Sequence, residues 1–151
     1  MSDRDEGGIQ VQKTLDQMRV LDDLLVSWAG WDYKTYSRKT GWGEGLFDES
    51  SGLMRRKMQI LYSRPYAQAV VGTIKKMHYD DETHEFTLVW ISNSKDPKKC
   101  TQLFLSQKYH YPDGYRVQLD PPSFYERKGD LLLIPSFAQG QWIELKILSN
   151  A

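Results

Sequence analysis

The side chains best suited to binding or chemistry lie in one stretch, between residues 28 and 49. Trp28 and Trp31 offer flat apolar rings that each carry an N–H donor, and Asp32 and Lys34 place opposite charges beside them. Three further carboxylates follow in the same stretch, Glu44, Asp48 and Glu49. No two of these carboxylates are spaced in a way that identifies them as a general acid and base. The stretch therefore predicts ligand binding rather than catalysis.

Two of these residues have alternative interpretations that the sequence leaves open. Asp32 can accept a hydrogen bond from a ligand hydroxyl, or it can cap and pair within its own loop. Trp28 can face a ligand or fill the protein interior.

The remaining reactive side chains predict no metal and no cofactor. Cys100 is the one cysteine, which excludes an intrachain disulfide and a thiolate cluster for zinc or iron–sulfur. His78 and His84 flank an acidic turn at residues 80–82, and solvated side chains are the simpler interpretation there than a metal site.

Charge and hydropathy exclude further classes of partner. Lys plus Arg and Asp plus Glu each total 20 in 151 residues, so nothing electrostatic favours nucleic acid or an anionic membrane. No segment approaches the roughly 20 apolar residues of a transmembrane helix. The polar, acidic start of the sequence does not have the pattern of a signal peptide.

The first 65 residues have an α/β pattern. Apolar spacing at Val11, Leu15 and Met18 predicts a helix over residues 5–23, and the apolar run 24–29 predicts a strand buried on both faces. A long loop at 32–51 and a helix at 53–62, capped by Ser50 or Ser51, follow. A lone buried parallel strand needs neighbours, so residues 1–65 are expected to be the end of a larger unit.

Residues 66–151 have the pattern of an all-β antiparallel sandwich. Short apolar runs at 69–74, 84–91, 101–105, 115–119, 131–134 and 142–148 alternate with turn signals. The simplest role for the aromatic residues of this region is the core, and they are Trp90, Phe104, Phe124, Phe137 and Trp142.

Several segments, in order, resemble a known family. Residues 26–34, with Ser27, Trp28 and Trp31, are similar to the eighth barrel strand of family 5 glycoside hydrolases of the endoglycosylceramidase type. Residues 45–48 and then Arg64-Pro65-Tyr66 resemble the segments that close that barrel and enter its C-terminal sandwich. Gly72-Thr73, leading to residues 86–88, is similar to the first hairpin of that sandwich.

The resemblance implies a C-terminal fragment of a glycosidase: the last strand and helices of a TIM barrel over 1–65, then a β-sandwich over 66–151. The parent enzyme would hydrolyse the O-glycosidic bond of glycosphingolipids or related glucolipids. Trp28 would be the substrate platform, with Trp31, Asp32 and Lys34 on the same loop. The nucleophile and the acid/base glutamates would lie upstream of Met1, so this chain alone would be inactive and would need the barrel in cis. The compartment stays open, since a secreted or lysosomal parent would carry its signal peptide upstream.

A second hypothesis comes from a different class of protein. The chain can be a stand-alone sandwich that binds carbohydrate or lipid without catalysis, which requires exposed aromatic side chains on a sandwich face. A third hypothesis is a structural accessory domain. Mutation of Trp90 or Trp142 separates these hypotheses, because a core residue supports folding and a binding residue does not.

Overall fold

The computed structural model describes residues 8–29, 46–48, 52–94, 96 and 98–150. Within these ranges the chain forms two helices, α1 (Gly8–Asp23) and α2 (Arg56–Tyr62), and ten strands. The first two strands, β1 (Phe47–Asp48) and β2 (Leu53–Met54), form a small antiparallel ribbon before α2. The other eight are β3 (Tyr66–Ala69), β4 (Gly72–Tyr79), β5 (Phe86–Ser92), β6 (Cys100–Phe104), β7 (Tyr115–Asp120), β8 (Glu126–Lys128), β9 (Leu131–Pro135) and β10 (Trp142–Ser149).

These eight strands build two antiparallel sheets. The long sheet has the order β4-β5-β10-β7, and the short sheet has the order β3-β6-β9-β8. Ile143, Leu145 and Ile147 of β10 are fully buried, as are Leu132 and Ile134 of β9. Because side chains alternate between the faces of a strand, these residues define one core between the sheets. Two short helices followed by antiparallel sheets confirm the predicted fold class, an α/β remnant followed by an all-β antiparallel sandwich.

The apolar run 24–29 does not form the predicted strand. Helix α1 ends in a turn in which the N–H of Val26 donates to the oxygen of Leu21 at 2.9 Å and the N–H of Leu25 donates to Asp22 at 3.0 Å. Leu25 has a φ of 55°, the left-handed conformation that commonly ends a helix. Residues 26–29 then run without regular structure and are exposed. The reason is the lack of a partner, since the described part of the chain offers no parallel strand beside them.

Two element boundaries also differ from the prediction. Helix α2 begins at Arg56 rather than at residue 53, because Leu53 and Met54 pair with β1. Its N-terminal cap is Arg55, whose side chain makes no capping hydrogen bond. The predicted caps Ser50 and Ser51 lie outside the described residues. The first strand of the sandwich begins at Tyr66 rather than at residue 69, and a domain boundary between residues 65 and 66 stays a prediction.

The aromatic residues expected in the core divide into two groups. Trp90 is 1% exposed and lies in the core. The expectation is wrong for Phe124 and Trp142, which are 76% and 57% exposed. Trp142 shares the outward side of β10 with Glu144 and Lys146, while Phe124 lies between β7 and β8.

These positions predict opposite outcomes for two tryptophan substitutions. Trp90→Ala should lower the free energy of unfolding by about 3–5 kcal/mol, because it leaves a cavity between the sheets. Trp142→Ala should change it by less than about 1 kcal/mol, because the ring is solvent-exposed. Urea unfolding followed by circular dichroism measures both. Equal losses would contradict the placement of Trp142 on the surface.

Candidate functional site

A groove of about 410 Å³ lies where the segment after α1 meets the sandwich. The segment contributes residues 25–28, and α2 contributes Tyr62. Strands β3 and β4 close the other side, chiefly with Tyr66, Ile74 and Met77. We call this the aromatic groove, because Trp28, Tyr62 and Tyr66 supply its aromatic rings.

Trp28 and Tyr62 form the aromatic contact of this groove. Their ring centroids are 5.8 Å apart and their planes are inclined by 34°. Trp28 keeps 38% of its surface exposed, so the indole can meet a ligand. Among the described residues that line the groove, none carries a carboxylate, an imidazole or a thiol. The arrangement can therefore bind a ligand with flat apolar faces, but it supplies no acid–base pair.

The other predicted site residues cannot be placed in this geometry. Trp31, Asp32 and Lys34 lie outside the described residues, and their assignment to a binding site stays a prediction. The same holds for Trp28 as a substrate platform: the structure places it in a groove, and its ligand is a prediction.

A buried ion pair fixes the helical segment beside the groove. Arg64, which follows α2, is 4% exposed, and its Nη2 donates to Asp22 Oδ2 of α1 at 2.8 Å. Its Nε lies 3.7 Å from Oδ1 of Asp81 in the β4–β5 turn, and its guanidinium lies over the Tyr79 ring. Asp81 also accepts a hydrogen bond from Nε of Arg19 at 3.3 Å. Two carboxylates from distant segments thus meet one buried cation.

Burial sets the electrostatics of this pair. It raises the pKa of Asp22 above its ordinary value, and the Arg64 guanidinium offsets part of that rise. Loss of one partner would leave the other charge without compensation in a site that is largely shielded from water.

A second buried network joins α2 to the sandwich. The Tyr79 hydroxyl lies 2.8 Å from Nδ1 of His110 and 2.6 Å from Nδ1 of His84. Nε2 of His110 lies 2.8 Å from the carbonyl oxygen of Ile60 in α2. Because a carbonyl only accepts, Nε2 of His110 must carry a hydrogen.

The contact between His110 and the Ile60 carbonyl oxygen sets the direction of the other hydrogen bonds in this network. Burial lowers the pKa of His110 below its ordinary value, so the ring is neutral and its Nδ1 accepts from the Tyr79 hydroxyl. His84 Nδ1 then donates to the Tyr79 oxygen. His84 has a φ of 57°, and the Tyr111 hydroxyl donates to its carbonyl oxygen at 3.1 Å.

Sequence reasoning missed both networks. The pattern predicts a solvated His84, but this residue hydrogen-bonds to Tyr79, and the pattern predicts neither the buried contacts of His110 nor those of Arg64. The available signal was the pair of aromatic neighbours, Tyr109 and Tyr111, that mark His110 as a residue of an apolar setting. Among the described residues, no three His, Cys, Asp or Glu side chains are grouped so that they could hold a metal ion. No helix in the described ranges is long and apolar enough to cross a membrane.

The comparison with protein families decides where this sandwich belongs. The family described as the glycoside hydrolase family 5 C-terminal domain matches residues 64–147. This chain belongs to that family. The match to the family 5 domain begins at Arg64, whose buried side chain pairs with Asp22, and ends within β10.

Curated relatives and solved structures agree with this family 5 assignment. The chain is 28% identical over 121 residues to an endoglycoceramidase of Hydra vulgaris, and 26% identical over 110 residues to one of Cyanea nozakii. These matches cover 76% and 71% of this chain and 22% of each relative, so the chain spans about a fifth of their length. The resemblance to the C-terminal portion of an endoglycoceramidase-like family 5 enzyme is confirmed.

Two solved structures share the fold. Sterylglucosidase 1 of Cryptococcus neoformans superposes with a TM-score of 0.78 at 15% identity, covering 97% of this chain and 25% of that protein. Endo-glycoceramidase II from Rhodococcus sp. superposes with a TM-score of 0.66 at 14% identity, covering 93% and 30%. The shared fold therefore includes helical residues as well as the sandwich.

The buried ion pair predicts a strong effect of one arginine in this family 5 domain. Arg64→Met should lower the free energy of unfolding by about 3–5 kcal/mol, because Asp22 is left buried without its cation. Arg19→Met should cost less than about 1 kcal/mol, because that pair is partly exposed. Denaturant unfolding compares the two. Adding Asp22→Leu to Arg64→Met should restore part of the loss, and equal effects of Arg64→Met and Arg19→Met would contradict this role.

The His110 network predicts a pH dependence. The folded pKa of His110 lies below its ordinary 6.5, so the unfolded chain takes up the proton first as the pH falls. Stability from this group is complete above about pH 6.5 and decreases below it, by at most about 1.4 kcal/mol per pH unit. His110→Gln should reduce the difference in melting temperature between pH 7 and pH 5, whereas His78→Gln, at an exposed position, should not. An unchanged pH dependence in His110→Gln would contradict the account.

Proposed function

We propose that this chain is the C-terminal part of a glycoside hydrolase that cleaves the O-glycosidic bond of glycosphingolipids or related glucolipids. The observation that carries the proposal is the alignment with the Hydra vulgaris endoglycoceramidase. Its 121 residues exceed the span of the family match at residues 64–147, so the likeness includes residues outside the sandwich. The activity would belong to the whole protein.

In this proposal the catalytic glutamates lie upstream of Met1. Retaining glycosidases need two carboxyl groups about 5 Å apart, one nucleophile and one acid/base. Barrel enzymes carry such groups at the carboxyl ends of different strands. This chain would instead contribute Trp28 as a platform for substrate, with Trp31, Asp32 and Lys34 nearby. The Trp28–Tyr62 contact supports the platform, because it fixes the indole while one part of it stays exposed.

The preceding barrel is the proposed partner in cis. Large apolar side chains are exposed on the helical segment and on the ribbon before α2: Val20, Leu24, Leu25, Val26, Leu53 and Met54. Large apolar side chains left exposed support a contact surface there. A barrel packed against them would bury these side chains and would give residues 26–29 the neighbouring strands that a parallel sheet requires.

The alternative is a sandwich that binds carbohydrate or lipid without catalysis. The exposure of Phe124 and Trp142 favours it, because aromatic rings on a sandwich surface are available to a ligand. In that case no barrel is required for function.

A chimeric enzyme tests the proposal. The purified 151-residue chain should not hydrolyse a fluorescent glucosylceramide. The Hydra vulgaris endoglycoceramidase whose C-terminal region is replaced by this chain should hydrolyse it. In the chimera, Trp28→Ala should lower kcat/KM by at least about tenfold, equal to about 1.4 kcal/mol of transition-state stabilisation.

Phe124→Ala is the matched control in the chimera, because that aromatic ring is also exposed but lies outside the aromatic groove. It should leave kcat/KM unchanged. Hydrolysis by the isolated chain would contradict the absence of a catalytic pair. If Trp28→Ala left the kcat/KM of a folded, active chimera unchanged, Trp28 would not belong to the substrate site.

A further inference from the structure

A second groove lies on the outward face of the long sheet. It has a volume of about 260 Å³ and is lined by side chains of β4, β5 and β10 and of the β4–β5 turn. We call it the charged trough and define it by Lys76, His78, Thr87, Glu144 and Lys146. None of these residues lines the aromatic groove.

The strand register explains why this face is concave. Glu144 of β10 and Lys76 of β4 both pair with Val89 of the central strand β5. Lys146 and His78 likewise both pair with Thr87. The two β5 side chains are short and 9% exposed. Long side chains on both neighbouring strands therefore form walls above a floor of short ones.

Trp142 does not line the charged trough itself, but it lies just beyond one end of it on the same face of the long sheet. It lies two residues before Glu144 on the same face of β10, a separation of about 7 Å along the strand. Its partner on β5 is Ile91, which in turn pairs with Thr73 of β4. The side chains opposite one another at this end, Trp142, Ile91 and Thr73, are thus less polar than the sets that contain Glu144 and Lys146. Trp142 is 57% exposed.

The charges of the trough favour a neutral ligand. Lys76 and Lys146 contribute ammonium groups, while Glu144, Asp80 and Glu85 contribute carboxylates. Lys146 Nζ lies 3.5 Å from Glu144 Oε1. Asp80 accepts hydrogen bonds from the backbone N–H groups of Glu82 and Thr83, which lower its pKa and keep it ionised. A polyanion would meet these carboxylates and a polycation would meet the lysines.

Neutral sugars fit both the mixed charges and the exposed indole of this surface. Their hydroxyl groups donate to carboxylates and accept from ammonium groups, and the C–H face of a pyranose ring stacks on an indole. We propose that the charged trough binds a neutral oligosaccharide, with one pyranose ring stacked on Trp142 and the following sugar hydrogen-bonded by Glu144 and Lys76. This site goes beyond the proposed function and does not depend on it, because the trough lies wholly within the sandwich.

Glycan binding by the 151-residue chain tests this site. The probe is a printed array of neutral gluco- and galacto-oligosaccharides, with sialylated and sulfated glycans beside them, followed by calorimetry with the tightest neutral binder. We expect binding to neutral glycans. Trp142→Ala should weaken it at least about tenfold. Lys76→Ala should weaken it severalfold, because one hydrogen-bond donor is lost.

The neighbouring lysine provides a matched control. Lys75 is the bulge residue of β4 between Ile74 and Lys76, and it does not line the trough. Lys75→Ala removes the same charge and should leave glycan affinity unchanged. Phe124→Ala controls for loss of an exposed aromatic ring.

Three outcomes would overturn the inference. The first is an array with no neutral glycan bound by the folded chain. The second is equal weakening by Lys75→Ala and Lys76→Ala, which would indicate a net-charge effect. The third is Trp142-dependent flotation with liposomes of uncharged phosphatidylcholine, which would make Trp142 a membrane anchor. None of these results depends on hydrolysis, so failure here is separate from failure of the chimera.

Discussion

The buried guanidinium of Arg64 is the constraint on which the arrangement of this molecule depends. A cation with little access to water requires anionic partners, and here they come from α1, through Asp22, and from the β4–β5 turn, through Asp81. Its Nε has no hydrogen-bond partner despite being buried, since the nearest Asp81 oxygen is 3.7 Å away. Charge compensation thus ties α1 to the β4–β5 turn, beside the packing of Met18 against Met58 and Leu61. The segment after α1, residues 25–28, lines the aromatic groove together with β3 and β4.

The two grooves lie on surfaces of the sandwich that have different chemistry. The edge formed by β3 and β4 contacts the helical segment and carries apolar and aromatic side chains. The outward face of the long sheet carries interleaved charges and one exposed indole. The His110 network strengthens the first surface, because it links the last turn of α2 to β4 through the Tyr79 hydroxyl. Acidification would weaken this link through protonation of His110.

The parts of the fold that follow from local pattern could be predicted from the sequence. Phe86, Leu88 and Trp90 occupy every second position, with Glu85 and Thr87 as polar neighbours, and the structure buries them in β5. Trp142, expected in the core, lies outward instead, and the strand alternation explains it: Glu144 and Lys146 lie on the same side of β10, whereas Ile143 and Leu145 lie on the other. The strand expected at 24–29 required partners that local pattern cannot supply. The networks could not be predicted, since Arg64 reaches Asp22 across 42 residues and His110 reaches Ile60 across 50.

The central claim is that this sandwich works as the end of a larger family 5 hydrolase, and the mass of the native protein tests it most directly. An antibody against the β10 sequence, used on denatured extracts of the source tissue, reports that mass. The account predicts a band larger than the 17.6 kDa of this chain by at least the remainder of a barrel, about 200 residues. A single band near 17.6 kDa would contradict it and would leave a binding sandwich without catalysis.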